Sequence, residues 1–155
     1  MAKHLLKFNV NGKAHALMVE SHERLLDVLR NRLGLKGVKD GCSTGDCGIC
    51  AVLMDGKLVN SCLVLAIQAR NKSITTIESL GTSESPHPLQ QAFLKWNASQ
   101  CGYCIPAMIL ASKSLLDKNP TPTDEEIKNA IGGILCRCTG YVKIIEAVKS
   151  ASHKR

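Results

Sequence analysis

Aromatic side chains are scarce in this chain: two Phe, two Tyr and one Trp, about 3% of its residues. With Lys and Arg scattered singly, the formal charge of +7 has no stacking platforms beside it, which argues against nucleic-acid binding. Long apolar runs are missing as well, and nothing approaches the roughly 18 residues that a membrane span requires. The start, Met1 to Phe8, is interrupted by polar residues and lacks the apolar core and small-residue cleavage site of a secretory leader. The expected location is therefore a reducing cytoplasm, where structural disulfides are rare. At 155 residues the chain buries a core without them. His4, His15, His22, His87 and His153 stand isolated, with no partner at ligand spacing, so they read as surface or packing residues.

Against these absences stand eight cysteines, which need a role other than cross-linking. They fall into two sets of four: Cys42, Cys47, Cys50 and Cys62, then Cys101, Cys104, Cys136 and Cys138. The patterning around them changes between the sets. In the first half Leu6, Phe8 and Val10 alternate with polar residues, Asn11-Gly12 forms a hairpin turn, and Ala14 to Val19 gives the return strand. Leu25, Leu26, Leu29 and Leu33 recur at helical spacing, with Ser21 as the expected N-cap and Gly34 at the C-terminus. Ala51 to Met54 and Lys57 to Val59 flank an Asp55-Gly56 turn, and Ser73 to Glu78 closes the sheet.

The polar segment Gly81 to Pro88 reads as a linker. The expected domains are residues 1–80 and 89–155, joined by 81–88. Beyond the linker the period becomes helical: Leu89, Phe93 and Trp96 share a face, and Pro106 sits in the first turn of a helix running through Leu116. Thr123 opens a capping box with Asp124, Glu125 and Glu126, which explains those acids without acid–base chemistry. Ile144, Ile145 and Val148 give a last helix, and Ser152 to Arg155 reads as a solvated end.

Cys42, Cys47 and Cys50 follow the C-x4-C-x2-C spacing of plant-type [2Fe-2S] ferredoxins, and glycines at 41, 45 and 48 let the backbone wrap closely. Only 11 residues separate Cys62 from Cys50, fewer than in the plant-ferredoxin spacer. Cys101 and Cys104 precede a helix whose N-terminal dipole favours an anionic centre, and Cys136-Arg137-Cys138 returns from another helical end. Paired cysteines also suit structural zinc, so spacing alone leaves a zinc module open beside two iron–sulfur centres. Two oxidised clusters with their thiolates, at about −2 each, would bring the formal charge of +7 to roughly +3. Asp40 and Asp46 beside the first loop read as turn residues; Arg137, between two cysteines, is a candidate for screening cluster charge.

The segments Cys42 to Cys50, Gln100 to Pro106 and Cys136 to Tyr141, in this order, resemble the iron–sulfur subunits of the xanthine dehydrogenase and aldehyde oxidoreductase family of molybdenum hydroxylases. The resemblance spans nearly the whole chain. It implies an α+β protein: a β-grasp, ferredoxin-like domain followed by a four-helix-bundle domain, each with one [2Fe-2S] cluster on the cysteines of its half. It further implies an electron-transfer subunit within a hetero-oligomer. A large partner subunit would hold the molybdopterin–molybdenum cofactor and hydroxylate an N-heteroaromatic, purine or aldehyde with water; a medium partner would hold FAD. By the same resemblance Gln100 and Cys138 face the partner's molybdopterin, and the apolar surface at Gly102, Tyr103 and Ile105 is covered by the large subunit. A free-standing two-cluster ferredoxin is the competing role, but it leaves Gln100 unexplained.

Overall fold

The computed structural model describes residues 2–152; Ser152, expected in a solvated end, is instead buried as the last residue of the final helix, and His153 to Arg155 lie outside the described residues. Strands β1 (Lys3–Val10) and β2 (Lys13–Glu20) pair antiparallel around Asn11 and Gly12. Both turn residues have positive φ, 53° and 79°, which suits the right-handed twist of the hairpin. Strands β3 (Ala51–Met54), β4 (Lys57–Asn60) and β5 (Ser73–Thr75) complete one sheet of order β2-β1-β5-β3-β4, in which β1 and β5 run parallel. The alternation of apolar residues turns Leu6, Phe8 and Val10 inward, onto Leu25, Leu26, Leu29 and Ile74.

The segment crossing this sheet differs from the regular helix expected. Helix α1 (Leu25–Asp27) passes into a π turn over Val28–Arg32, where the Leu33 N–H bonds to the Val28 carbonyl five residues back. Ser21 is not its N-cap: its hydroxyl donates to the Ala2 carbonyl, and Arg24 takes the cap position with no capping bond from its side chain, which pairs with Asp27 instead. Gly34 does adopt the left-handed conformation, at φ 73°. The closing strand is also shorter than expected. Thr76 exchanges its N–H and hydroxyl with the Asn11 side chain, and the chain turns into a short 3₁₀ segment at Ile77–Ser79.

Four helices follow: α2 (Pro88–Lys95), α3 (Ile105–Leu116), α4 (Asp124–Ile131) and α5 (Val142–Ser152). Thr123 and Glu126 form the expected reciprocal cap on α4. Their core gathers Leu89, Phe93, Met108, Ile127, Ile131, Ile144 and Val148. It continues into the sheet half, because α3 packs on β3 and β4 and brings Ala51 and Leu58 into the same cluster. No helix among the described residues is long and apolar enough to cross a membrane.

Candidate metal centres

The loop from Gly41 to Cys50 lies between the π turn and β3, and three left-handed residues curl it: Ser43 at φ 58°, Gly45 at φ 90° and Gly48 at φ 67°. The curl points the N–H groups of Thr44 and Cys47 at the Cys42 sulfur, both at 3.4 Å. Side chains brace it from outside, with Ser43 donating to Asp40 and Thr44 to Asp46. Asp40 and Asp46 thus serve as loop acceptors. Cys50 and Cys62 lie buried beneath, where Cys50 acts on the ionisation of Cys62, and the Cys50 carbonyl accepts the buried Ser61 hydroxyl at 2.7 Å. A Cβ at Gly41 would crowd the Cys47 sulfur, so side-chain-free backbone is needed there.

The second set is built from two helix junctions. Cys104 is the N-cap residue of α3 and buried, while Cys101 is exposed three residues earlier. Cys136 and Cys138 sit in the connection between α4 and α5, where they meet the first pair: the Cys138 and Cys101 sulfurs are 3.5 Å apart, and Cys136 lies within hydrogen-bonding reach of Cys104. Gln100, exposed, adjoins Cys101, so Gln100 and Cys138 share one end of the molecule. Arg137 is exposed on the same rim.

The two sets are neighbours. The Leu135 N–H donates to the Cys47 carbonyl, and the Tyr103 hydroxyl donates to the Asp40 carbonyl at 2.6 Å. Gly48, at φ 67°, passes so close to Gly133 that a Cβ would overlap its carbonyl oxygen. A cleft of about 670 Å³ runs between the sets, lined by Cys42, Cys47, Cys101, Cys104, Cys136 and Cys138.

Thiol electrostatics separate rim from interior. Hydrogen bonds from Thr44, side chain then backbone, and from Cys47 hold the Cys42 thiol down at about 6. Burial, then the neighbouring Cys50, pushes Cys62 up to about 11; burial, then Cys136, pushes Cys104 up to about 12. Burial also acts to raise Cys136, but Thr139 donates to its sulfur through hydroxyl and N–H and holds it below its ordinary value. Cys138 is raised, chiefly by its contact with Cys101.

This donor set fits a two-iron cluster better than a single ion. The sulfurs come in pairs, Cys101 with Cys138 at 3.5 Å and, through their mutual effect on ionisation, Cys42 with Cys47, Cys50 with Cys62 and Cys104 with Cys136, matching two irons with two thiolates each in either set. Sequence reasoning named all eight cysteines but gave no role to Thr44, Leu135, Thr139 or Tyr141. The last two lay within the quoted Cys136 to Tyr141 motif, where a hydroxyl near a thiolate was the available signal.

The fold and the two thiol sets define an iron–sulfur electron carrier with two centres. Residues 8–73 match the family described as "2Fe-2S iron-sulfur cluster binding domain", and residues 76–149 match "[2Fe-2S] binding domain". The chain is 52% identical, over 97% of its length and 96% of the relative's, to the nicotinate dehydrogenase small FeS subunit of Eubacterium barkeri. It is 47% identical to the nicotine 6-hydroxylase small subunit of Paenarthrobacter nicotinovorans, over 92% of this chain and 86% of that one. Among solved structures, a chain of quinoline 2-oxidoreductase from Pseudomonas putida 86 superposes with a TM-score of 0.93 at 40% identity, covering 97% of this chain and 94% of that one. The chain belongs to the family of small iron–sulfur subunits of molybdenum hydroxylases. It is an electron-transfer subunit that carries two [2Fe-2S] clusters, and these matches displace the zinc-module alternative.

Proposed function

We propose that Cys42, Cys47, Cys50 and Cys62 ligate one [2Fe-2S] cluster and Cys101, Cys104, Cys136 and Cys138 the other, with Gln100 and Cys138 turned toward the molybdopterin of a large partner subunit. The observation that carries this reading is the pairing of sulfurs within each set, typified by Cys101 and Cys138 at 3.5 Å. When bound, the clusters supply one-electron redox chemistry that lets the chain carry electrons from a molybdenum centre toward FAD or another acceptor. The residues provide the rest. Buried Cys50, Cys62 and Cys104 keep part of each centre from water, and Thr44, Cys47 and Thr139 aim donors at thiolates that become more negative on reduction. Side by side, the two sets need no separate mobile carrier between them.

The exposed end with Gln100, Cys101 and Cys138 is the face proposed to meet the large subunit. Tyr103, Leu135 and Val142 are exposed beside it, at 43%, 56% and 66%, and form the apolar part of that contact. Of the other residues expected there, Gly102 and Ile105 are half-buried. The proposed substrate class of the whole complex is an N-heteroaromatic ring, as in the relatives named for nicotinate, nicotine and quinoline. The proposed setting is the cytoplasm, the proposed partners a large molybdopterin subunit and a medium FAD subunit, and the proposed domains residues 1–80 and 89–155 joined by 81–88.

Cysteine-to-serine variants test the assignment in the assembled complex. Cys62→Ser and Cys136→Ser are each expected to abolish or alter the electron paramagnetic resonance of one reduced centre, a different one in each variant. Both variants retaining two unaltered centres would overturn it.

A further inference from the structure

The two thiol sets differ in which donor lies closest to the sulfur. At Cys42 the donors in contact are the backbone N–H groups of Thr44 and Cys47, while the Thr44 hydroxyl, which also lowers that thiol, donates to Asp46. At Cys136 they are the Thr139 N–H at 3.4 Å and, closer, the Thr139 side-chain hydroxyl at 3.0 Å. Chemistry fixes the direction of the closer bond once the thiol is ionised: a thiolate has no proton to give, so the hydroxyl must donate. Its oxygen in turn accepts from the Tyr141 N–H at 3.3 Å. The Tyr141 phenol takes up the Cys136 N–H at 2.8 Å and donates to the Ile134 carbonyl at 3.0 Å. Tyr141 does this from the left-handed region, φ 68°, which residues other than glycine seldom occupy. Residues 134 to 141 are thereby closed into a bonded ring with the Thr139 hydroxyl aimed at the sulfur.

We propose that the Thr139 hydroxyl sets the reduction potential of the centre held by the helical half, by donating to the Cys136 thiolate, and that Tyr141 is the positioning residue that holds it there. The inference rests on Cys136 being an iron ligand. Reduction adds one electron and no proton, and the Thr139 O–H bond stays intact. The added negative charge is shared with the thiolate ligands, and a hydrogen bond to a charged acceptor strengthens with that charge. The bond favours the reduced form and raises the potential. Because the donor is a side chain, it can be removed without altering the backbone, which is impossible for the two N–H donors at Cys42.

The test compares Thr139→Val and Thr139→Ser in the assembled complex, titrated with dithionite in the presence of redox mediators and followed by electron paramagnetic resonance. Thr139→Val is expected to move the midpoint of one centre to more negative potential and leave the other in place, with iron and sulfide content unchanged; Thr139→Ser is expected to restore it. An unmoved midpoint, or an equal shift of both centres, overturns the inference. Should Thr139→Val fail to load the centre, Tyr141→Phe decides: a negative shift of that same centre supports the inference and no shift overturns it. Failure of the underlying assignment looks different, since Cys136→Ser would then keep both centres unaltered.

Discussion

The Leu135 amide donates to the Cys47 carbonyl oxygen at 2.9 Å, so the residue next to Cys136 is hydrogen-bonded to a member of the other thiol set. The two sets are therefore held in fixed relation by backbone, reinforced by the Tyr103 hydroxyl on Asp40. The close approach of Gly48 to Gly133 makes this seam possible.

Gly48→Ala should break it. The left-handed backbone at φ 67° alone costs an alanine about 1–2 kcal/mol, and the overlap of its Cβ with the Gly133 carbonyl adds to that. The expected outcome is a lower urea midpoint together with faster hydrogen exchange at the Leu135 amide. Wild-type protection of that amide would contradict the seam.

Thiol chemistry in the cluster-free chain should follow the electrostatics. At pH 7 iodoacetamide is expected to label Cys42 first, its thiol lowered to about 6, and Cys62 and Cys104 last, raised to about 11 and 12. The ordinary value is 9.0, so the Cys42 contribution to stability is complete above pH 9 and is lost as pH falls toward 6. For Cys62 and Cys104 the sign reverses. Ionisation then favours the unfolded chain, so stability falls as pH rises from 9 toward 12. Peptide mapping after timed labelling checks the order.

Gln100 is exposed beside Cys101, and its amide offers both a donor and an acceptor to a pterin edge. Gln100→Ala is expected to slow reduction of the iron–sulfur centres by substrate in stopped flow, with both clusters still loaded. Unchanged kinetics in the assembled complex would remove Gln100 from the electron entry point.

Thr123→Ala deletes the hydroxyl half of a reciprocal cap, in which the Glu126 N–H donates to the Thr123 hydroxyl at 3.3 Å, and keeps the other half, the Thr123 N–H donating to Glu126 at 2.7 Å. The expected loss is about 1 kcal/mol, a fall in Tm of roughly 2–4 °C. The Thr123 N–H first, and then the Thr123 hydroxyl donating at 2.9 Å, hold the Glu126 carboxyl below its ordinary 4.5. The stabilisation tied to that carboxylate is full above about pH 4.5 and is lost as pH falls through the lower folded value, so the gap between wild type and variant narrows in acid by the hydroxyl's share.

Much of the architecture was legible because its signals are local. Asn11-Gly12 names its hairpin, Thr123 with Glu126 names its helix start, and the spacing of Cys42, Cys47 and Cys50 names a chemistry. What escaped depends on partners distant in sequence. Ser21 looks like a cap until His4 and the Ala2 carbonyl claim its hydroxyl. Strand β5 shortens because Asn11, 65 residues earlier, binds Thr76. The seam between Cys47 and Leu135 exists only once α3 lies on β3 and β4. Thr139 and Tyr141 were visible as residue types, but their roles come from the ring of bonds around Cys136.

The most direct test of the central claim is chemical analysis of the purified protein combined with spin counting after dithionite reduction. Two loaded centres predict about four irons and four labile sulfides per chain, and two distinguishable paramagnetic signals of about one spin each. Protein carrying zinc instead of iron, or a single signal at half that iron content, would contradict the account.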